Sequence, residues 1–155
     1  MPETVKNGVN PVNEITFGVC TTGRPTDTEM KTATYTTVKD AENLSISIDG
    51  NIEEWNPMDM AGWKRRLMTA KSLGISMGGK RNYGDAGNDY VAGLAFKNGQ
   101  DCNTTMKITF PNGDALYVPG VINVTSLGGE STAIDALEWE LQSDSKPTYV
   151  AYEDA

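Results

Sequence analysis

Glu138 and Glu140 stand two residues apart in Leu137-Glu-Trp-Glu-Leu141, where apolar and acidic residues alternate. In an extended chain that spacing puts both carboxylates on one face, about 6.8 Å apart, a separation at which acid pairs cleave sugars. Such a pair also needs aromatic walls and one carboxyl kept protonated by burial. The neighbouring residues supply neither, so the run reads as a solvated acidic face. The chain has no histidine, which removes the commonest general base, the commonest metal ligand and the Ser-His and Cys-His nucleophile arrangements. Gly74-Ile-Ser-Met-Gly-Gly-Lys-Arg81 comes close to a phosphate-binding loop. However, Arg81 stands where a magnesium-holding Ser or Thr is required, and Asn-Tyr-Gly-Asp follows in place of a helix start. Asp49-Gly-Asn-Ile-Glu53 opens like a calcium loop but has Glu54 at its glycine position and Met60 at its closing glutamate position. Cys20 and Cys102 have no metal-ligand spacing; they read as reduced, partly buried thiols, with a single disulfide left open. Asn43, Asn103 and Asn123 begin glycosylation sequons, which carry meaning only in a secreted chain. No catalytic residue, metal ligand or cofactor is expected.

Thirteen Lys and Arg against 21 Asp and Glu give a net charge of −8. Gripping nucleic acid needs cations against phosphates, so this balance argues against nucleic-acid binding, without excluding a protein that lets nucleic acid pass and does not hold it. The N-terminus lacks the charged-then-apolar layout of a signal peptide, and no apolar run approaches the ~20 residues of a membrane span. We expect no membrane partner and one domain over 1–155, with a flexible N-terminal arm at 1–14 and an extended loop at 50–62.

The elements that would position these residues are mostly strands. Ile15–Cys20, Tyr35–Val38 and Leu44–Ile48 are short candidates, the last ending at Asp49-Gly50, a favoured hairpin-turn pair. Residues 63–69 and 71–77 read as two further strands, the first carrying charge on both sides. Asn103–Phe110 and 114–125 flank the turn Asn112-Gly113, with Pro119-Gly120 expected as a bulge or kink. Alternation over 135–142 favours a strand over a helix, and 149–152 reads as a last short one. A helix is expected over 83–99, capped by Asp85 or Asn88, with Val91, Leu94 and Ala95 on its apolar stripe and Asn98-Gly99 as its stop. Roughly seven to nine strands with one flanking α-helix indicate a mainly β fold, a β-sandwich or barrel.

The stretch Trp63-Lys-Arg-Arg-Leu-Met-Thr-Ala-Lys-Ser-Leu-Gly-Ile-Ser-Met-Gly-Gly-Lys-Arg-Asn-Tyr-Gly-Asp resembles the central strands of the major tail (tail tube) proteins of long-tailed bacteriophages. Asn88-Asp-Tyr-Val-Ala-Gly-Leu-Ala-Phe is similar to that family's helix, and Met106-Lys-Ile-Thr-Phe-Pro-Asn-Gly-Asp also resembles the family. Asn123 to Tyr149 resembles its closing strand and turn. The likeness spans about 60–150 and is weaker over the first 40 residues.

The resemblance implies a tail tube fold, a β-sandwich with a flanking helix, whose subunits self-assemble into stacked hexameric rings. DNA would be ejected through a negatively charged lumen, and the protein would be a virion component assembled in the host cytoplasm. Its partners would be further copies of itself, a tape measure protein, and tail terminator and distal tail proteins. Asp114, Glu138 and Glu140 are candidate lumen acids. Trp55, Trp63, Lys64, Arg65 and Arg66 are candidate subunit-interface residues, the cations pairing with a neighbour's acids. The inner tube protein of a contractile tail or injection particle is a near alternative. A carbohydrate-binding β-sandwich using Trp55, Trp63 and Tyr83 as a platform is an alternative of another class.

Overall fold

The computed structural model describes residues 8–26 and 28–152. Its strands are β1 (Thr16–Val19), β2 (Ala41–Trp55), β3 (Arg65–Lys80), β4 (Asn103–Thr109), β5 (Ala115–Gly128), β6 (Ala136–Ser143) and β7 (Thr148–Val150), with one α-helix, α1 (Ala86–Gly93). The seven strands form one antiparallel sheet in the order β1-β4-β5-β6-β3-β2, and β7 adds to β5. The fold is mainly β with one flanking helix, as expected.

Strand β5 makes this sheet enclose a core. Residues 115–121 pair with β4 and 115–117 also pair with β7, whereas 120–128 pair with β6. Strands β6 and β7 therefore follow one another along the same edge of β5. Pro119 sits in the gap between them. Its carbonyl accepts from the Asp144 N–H at 3.0 Å, so the edge facing the gap is where its missing N–H costs no ladder bond. Gly120 follows because β6 passes very close: a Cβ there would lie 2.4 Å from the Gln142 carbonyl oxygen. The ladder keeps register through Pro119-Gly120. The irregularity expected there lies instead between Val124 and Ser126, and it adds twist where β5 leaves β4.

Inward residues of both halves meet in a single cluster. Met106, Ile108 and Val118 from one half pack with Ile75, Trp139 and Leu141 from the other, and Val91 and Leu94 close the helix side. Each large apolar side chain buried there contributes about 1.5–3 kcal/mol.

Several expectations are corrected. Asp49-Gly50 is no turn: Asp49 pairs with Ser72 and Gly50 with Lys71, so β2 runs on to Trp55. Residues 50–55 of the expected loop are thus strand, and the hairpin closes over 56–64, with Ala61 and Gly62 at positive φ. The two strands expected at 63–69 and 71–77 are one, β3. The helix is shorter than 83–99. Asp85 caps it, accepting from the Asn88 N–H at 3.0 Å, and after Gly93 the chain tightens into single 3-10 turns at Leu94–Phe96 and Gly99–Cys102. Tyr35–Val38 contributes only a bridge, Thr36 to Val19. Of the arm expected at 1–14, residues 1–7 lie outside the described residues, and Val12–Glu14 form a 3-10 turn.

Candidate functional site

Strand β6 alternates as its sequence suggests: Leu137, Trp139 and Leu141 are buried, while Glu138 and Gln142 are exposed and Glu140 is half-buried. The register then fixes what surrounds the two carboxylates. Across β3, Glu138 faces Gly78 and Glu140 faces Ser76; across β5 they face Ser126 and Asn123. Beyond β3 the same rows reach Asn43 and Ser45 of β2. Asn123 Nδ2 donates to Glu140 at 3.1 Å. The outer face of these four strands is therefore a pavement of Gly, Ser, Asn and Thr bearing two carboxylates. Lys80 stands at its border, opposite Ala136, and is paired with Glu42 at 3.0 Å. No cation occupies the rows from Gly74 to Gly78 among the described residues. Small uncharged groups offer few strong hydrogen-bond anchors, and carboxylates repel anions at the face.

The second feature is the outer half of the β2–β3 hairpin. From Ser47 to Ser72 its residues are exposed on both faces apart from a half-buried Pro57, because β6 pairs only with β3 from Gly74 onward. Ile48, Ile52, Leu67 and Met68 lie open along this ribbon, and Trp63 at its tip is 74% exposed. Arg65 lies over the Trp55 ring, its guanidinium carbon 5.8 Å from the centroid. Glu54 accepts from Arg66 at 2.9 Å and from Lys64 at 3.1 Å, and these two donors, Arg66 first, hold its carboxyl below the usual glutamate range. Of the three cations expected to reach a neighbour's acids, Lys64 and Arg66 thus have a partner within the hairpin.

The remaining candidates fall elsewhere. Asp114 does not join Glu138 and Glu140; it lies in the β4–β5 turn at the far end of β5. There the Tyr149 hydroxyl donates to its carboxylate, and so do the Tyr152 N–H at 2.8 Å and Asn112 Nδ2 at 3.1 Å. These contacts, Tyr149 first, lower its pKa and raise that of Tyr149. Tyr83 lies beyond the Lys80 end of β3 whereas Trp63 precedes its Arg65 end, so the three aromatics expected to form a sugar platform are not brought together. Cys20 and Cys102 are buried free thiols.

Sequence reasoning missed the anchor of α1. Asn88 is fully buried and uses both ends of its amide. Its oxygen accepts from Arg81 at 2.9 Å and the Asn82 N–H at 3.0 Å; its nitrogen donates to the Lys39 and Lys80 carbonyls at 3.1 and 3.0 Å. The one local hint was an Asn at the third helical position, where Glu or Gln normally completes a capping box. Arg81 continues the network, bonding Asp89 at 2.7 Å and lying 4.2 Å from the Tyr83 ring centroid.

Among the described residues no His, Cys, Asp or Glu cluster is arranged to hold a metal ion, and no helix is long and apolar enough to cross a membrane. No protein-family model matches the chain, and no curated protein sequence matches it significantly. Its fold does match solved structures. One is a chain from the tail of an empty gene transfer agent particle refined with helical C6 symmetry, with a TM-score of 0.68 at 15% identity over 92% of this chain and 100% of that one. Another is from the virion of a native gene transfer agent particle, with a TM-score of 0.65 at 15% identity and the same coverage. The chain has the fold of a chain found in the tail of a gene transfer agent particle.

Proposed function

We propose that this chain is a tail tube subunit, a structural protein that assembles into stacked hexameric rings and forms a conduit for DNA. The observation that carries the reading is the cation-poor face of β2, β3, β6 and β5 in a fold shared with a tail chain solved in C6 symmetry. In a ring that presents this face to its axis, Glu138 and Glu140 line the lumen. Phosphates meet carboxylates and small polar groups, gain no ion pair at any point, and slide. The exposed hairpin supplies the joining surface. A two-stranded ribbon is marginal alone in water, and its open apolar residues gain burial only against another copy. Rings need such a heterologous contact, one surface against a different one.

Negative-stain electron microscopy of the concentrated protein tests the reading, with hollow tubes or six-fold rings as the expected result. A particle that stays monomeric under all assembly conditions would sink it. The lumen assignment has its own test. The double variant Glu138→Lys, Glu140→Lys should still form tubes but retain single DNA molecules at low salt and release them as salt rises, because each neutralised phosphate contributes a slope of about −0.9 in log K against log salt. Equal DNA passage by wild type and variant tubes would place the face outside the lumen.

A further inference from the structure

The tube reading requires a surface that receives the hairpin tip, and the structure offers one at the other end of the same strand. Strand β3 runs from Arg65, next to the tip, to Lys80, a length of about 50 Å at 3.3 Å per residue. Just beyond Lys80 lies a groove of about 400 Å³ lined by Tyr83, Phe96, Leu127 and Asp135. Phe96 is 92% exposed, and Ile134, next in chain to Asp135, is 70% exposed. These are large apolar groups in water, gathered from the β3–α1 loop, the turn after α1, the end of β5 and the β5–β6 loop.

The groove is built rather than incidental. Arg81 stacks under Tyr83 at 4.2 Å and is clamped by Asp89 and by buried Asn88. The Tyr83 hydroxyl donates to Asp135 at 3.0 Å, and the Asp135 carbonyl accepts from the Arg81 N–H at 2.9 Å. An exposed aromatic ring is thus fixed on both its face and its hydroxyl before any partner arrives, so binding there costs little ordering.

We propose that this groove is the socket for the hairpin tip of a second copy of this chain, Trp63 and Met58 packing on Tyr83, Phe96 and Ile134 while Arg65 approaches Asp135. The match is chemical as well as geometric. The tip is aromatic and Met-rich, and its Arg65 forms no ion pair among the described residues. The socket joins apolar side chains to charged ones: Arg81 and Asp89, which also line it, neutralise each other, whereas among the described residues Asp135 carries only a neutral hydroxyl donor on its carboxylate. Because tip and socket occupy opposite ends of β3, neither can reach the other within one subunit, and each subunit keeps one of each unsatisfied. Such a contact is head-to-tail and propagates. The proposal rests on the tube reading and adds to it which surface receives the arm.

Benzoylphenylalanine in place of Trp63, irradiated in assembled tubes, should cross-link to residues 83–96 or 127–135 of another copy, located by mass spectrometry. Phe96→Ser with Ile134→Ser alters only exposed positions, so the monomer should melt as wild type does. Its critical concentration for tubes should rise by more than about tenfold, the loss expected for removing aromatic anchors. Mixing this double variant with Trp63→Ser should give one-to-one dimers, since one intact tip still finds one intact socket. Tubes with cross-links elsewhere, for instance at Val12 or Tyr149, or unchanged assembly of the double variant, would overturn the socket and leave the tube intact. A wild-type protein that stays monomeric and yields no intermolecular link defeats the tube reading and the socket with it.

Discussion

The two halves of β3 share one strand and one hairpin partner, yet they live in different environments. From Gly74 to Gly79 the strand is sandwiched between β2 and β6, and Leu73, Ile75 and Met77 point into the core. From Arg65 to Ser72 it has β2 alone, and every side chain is exposed. Both halves carry large apolar residues, Leu67 and Met68 in one, Ile75 and Met77 in the other, but the first also holds Arg65, Arg66 and Lys71. Apolar residues alone therefore do not bury a half; a third strand alongside does. The unburied half holds together through local pairs. Glu54 bridges Lys64 and Arg66, Asn51 Nδ2 donates to Thr69 Oγ1 at 2.8 Å, and Arg65 covers Trp55. A segment built this way stabilises the monomer little, and its apolar groups have value only when another surface arrives.

That contrast can be broken by paired substitutions. Ile75→Ala, at a fully buried position, should cost about 3 kcal/mol in urea unfolding of the monomer, the usual toll of a methyl-rich cavity. Leu67→Ala on the exposed half should cost less than about 0.5 kcal/mol by the same measurement and should instead impair tube formation. Equal costs at the two sites would mean that the arm folds back on its own subunit in solution. Asn88→Ala should cost about 2–3 kcal/mol of monomer stability, since it strips partners from four groups around a buried amide. It should also loosen Tyr83, lowering assembly beyond the stability loss. Glu54→Gln sharpens the arm side of the comparison. Exposed ion pairs add little to folding, so the monomer's thermal midpoint should hold while limited proteolysis between 56 and 64 speeds up.

Legibility followed the range of the interactions that decide each element. Strand β6 was readable because alternation of Leu137, Trp139 and Leu141 with Glu138 and Glu140 is a local record of one buried face. The Asp49-Gly50 turn was misread for the same reason in reverse. The pair is favoured in tight hairpins, but Ala41 to Lys80 zips as one ladder, and the reversal falls where Asn56-Pro57 and Ala61-Gly62 accept it. The helix was overextended because Val91, Leu94 and Ala95 have helical spacing, but past Gly93 the chain continues as 3-10 turns. Of the site, the acidic row could be read from its spacing, while its cation-free surroundings came from cross-strand register. The four-bond role of Asn88 and the meeting of Tyr83, Phe96, Leu127 and Asp135 depend on contacts between distant segments, which no local pattern records.

The smallest expected effect concerns the C-terminal end of the sheet, where three-residue β7 is held to β5 partly through Asp114. Tyr149 and the Tyr152 N–H favour the ionised carboxylate, so its folded pKa lies below the ordinary aspartate value of about 3.9. A depressed pKa contributes stability that is present above the unfolded value and is lost as pH falls through the folded one. Tyr149 runs the other way. Its pKa is raised by Asp114, so its contribution is full below about pH 10 and fades as pH rises through the folded value. Asp114→Asn should therefore leave amide exchange in Thr148–Val150 faster than wild type at neutral pH, with the two converging as wild type is acidified below pH 4. Tyr149→Phe should abolish the alkaline loss while keeping the Tyr152 contact. Because this latch lies far from the hairpin, neither substitution should change the concentration at which tubes form. A change there would mean that the β7 edge is itself part of the contact between copies.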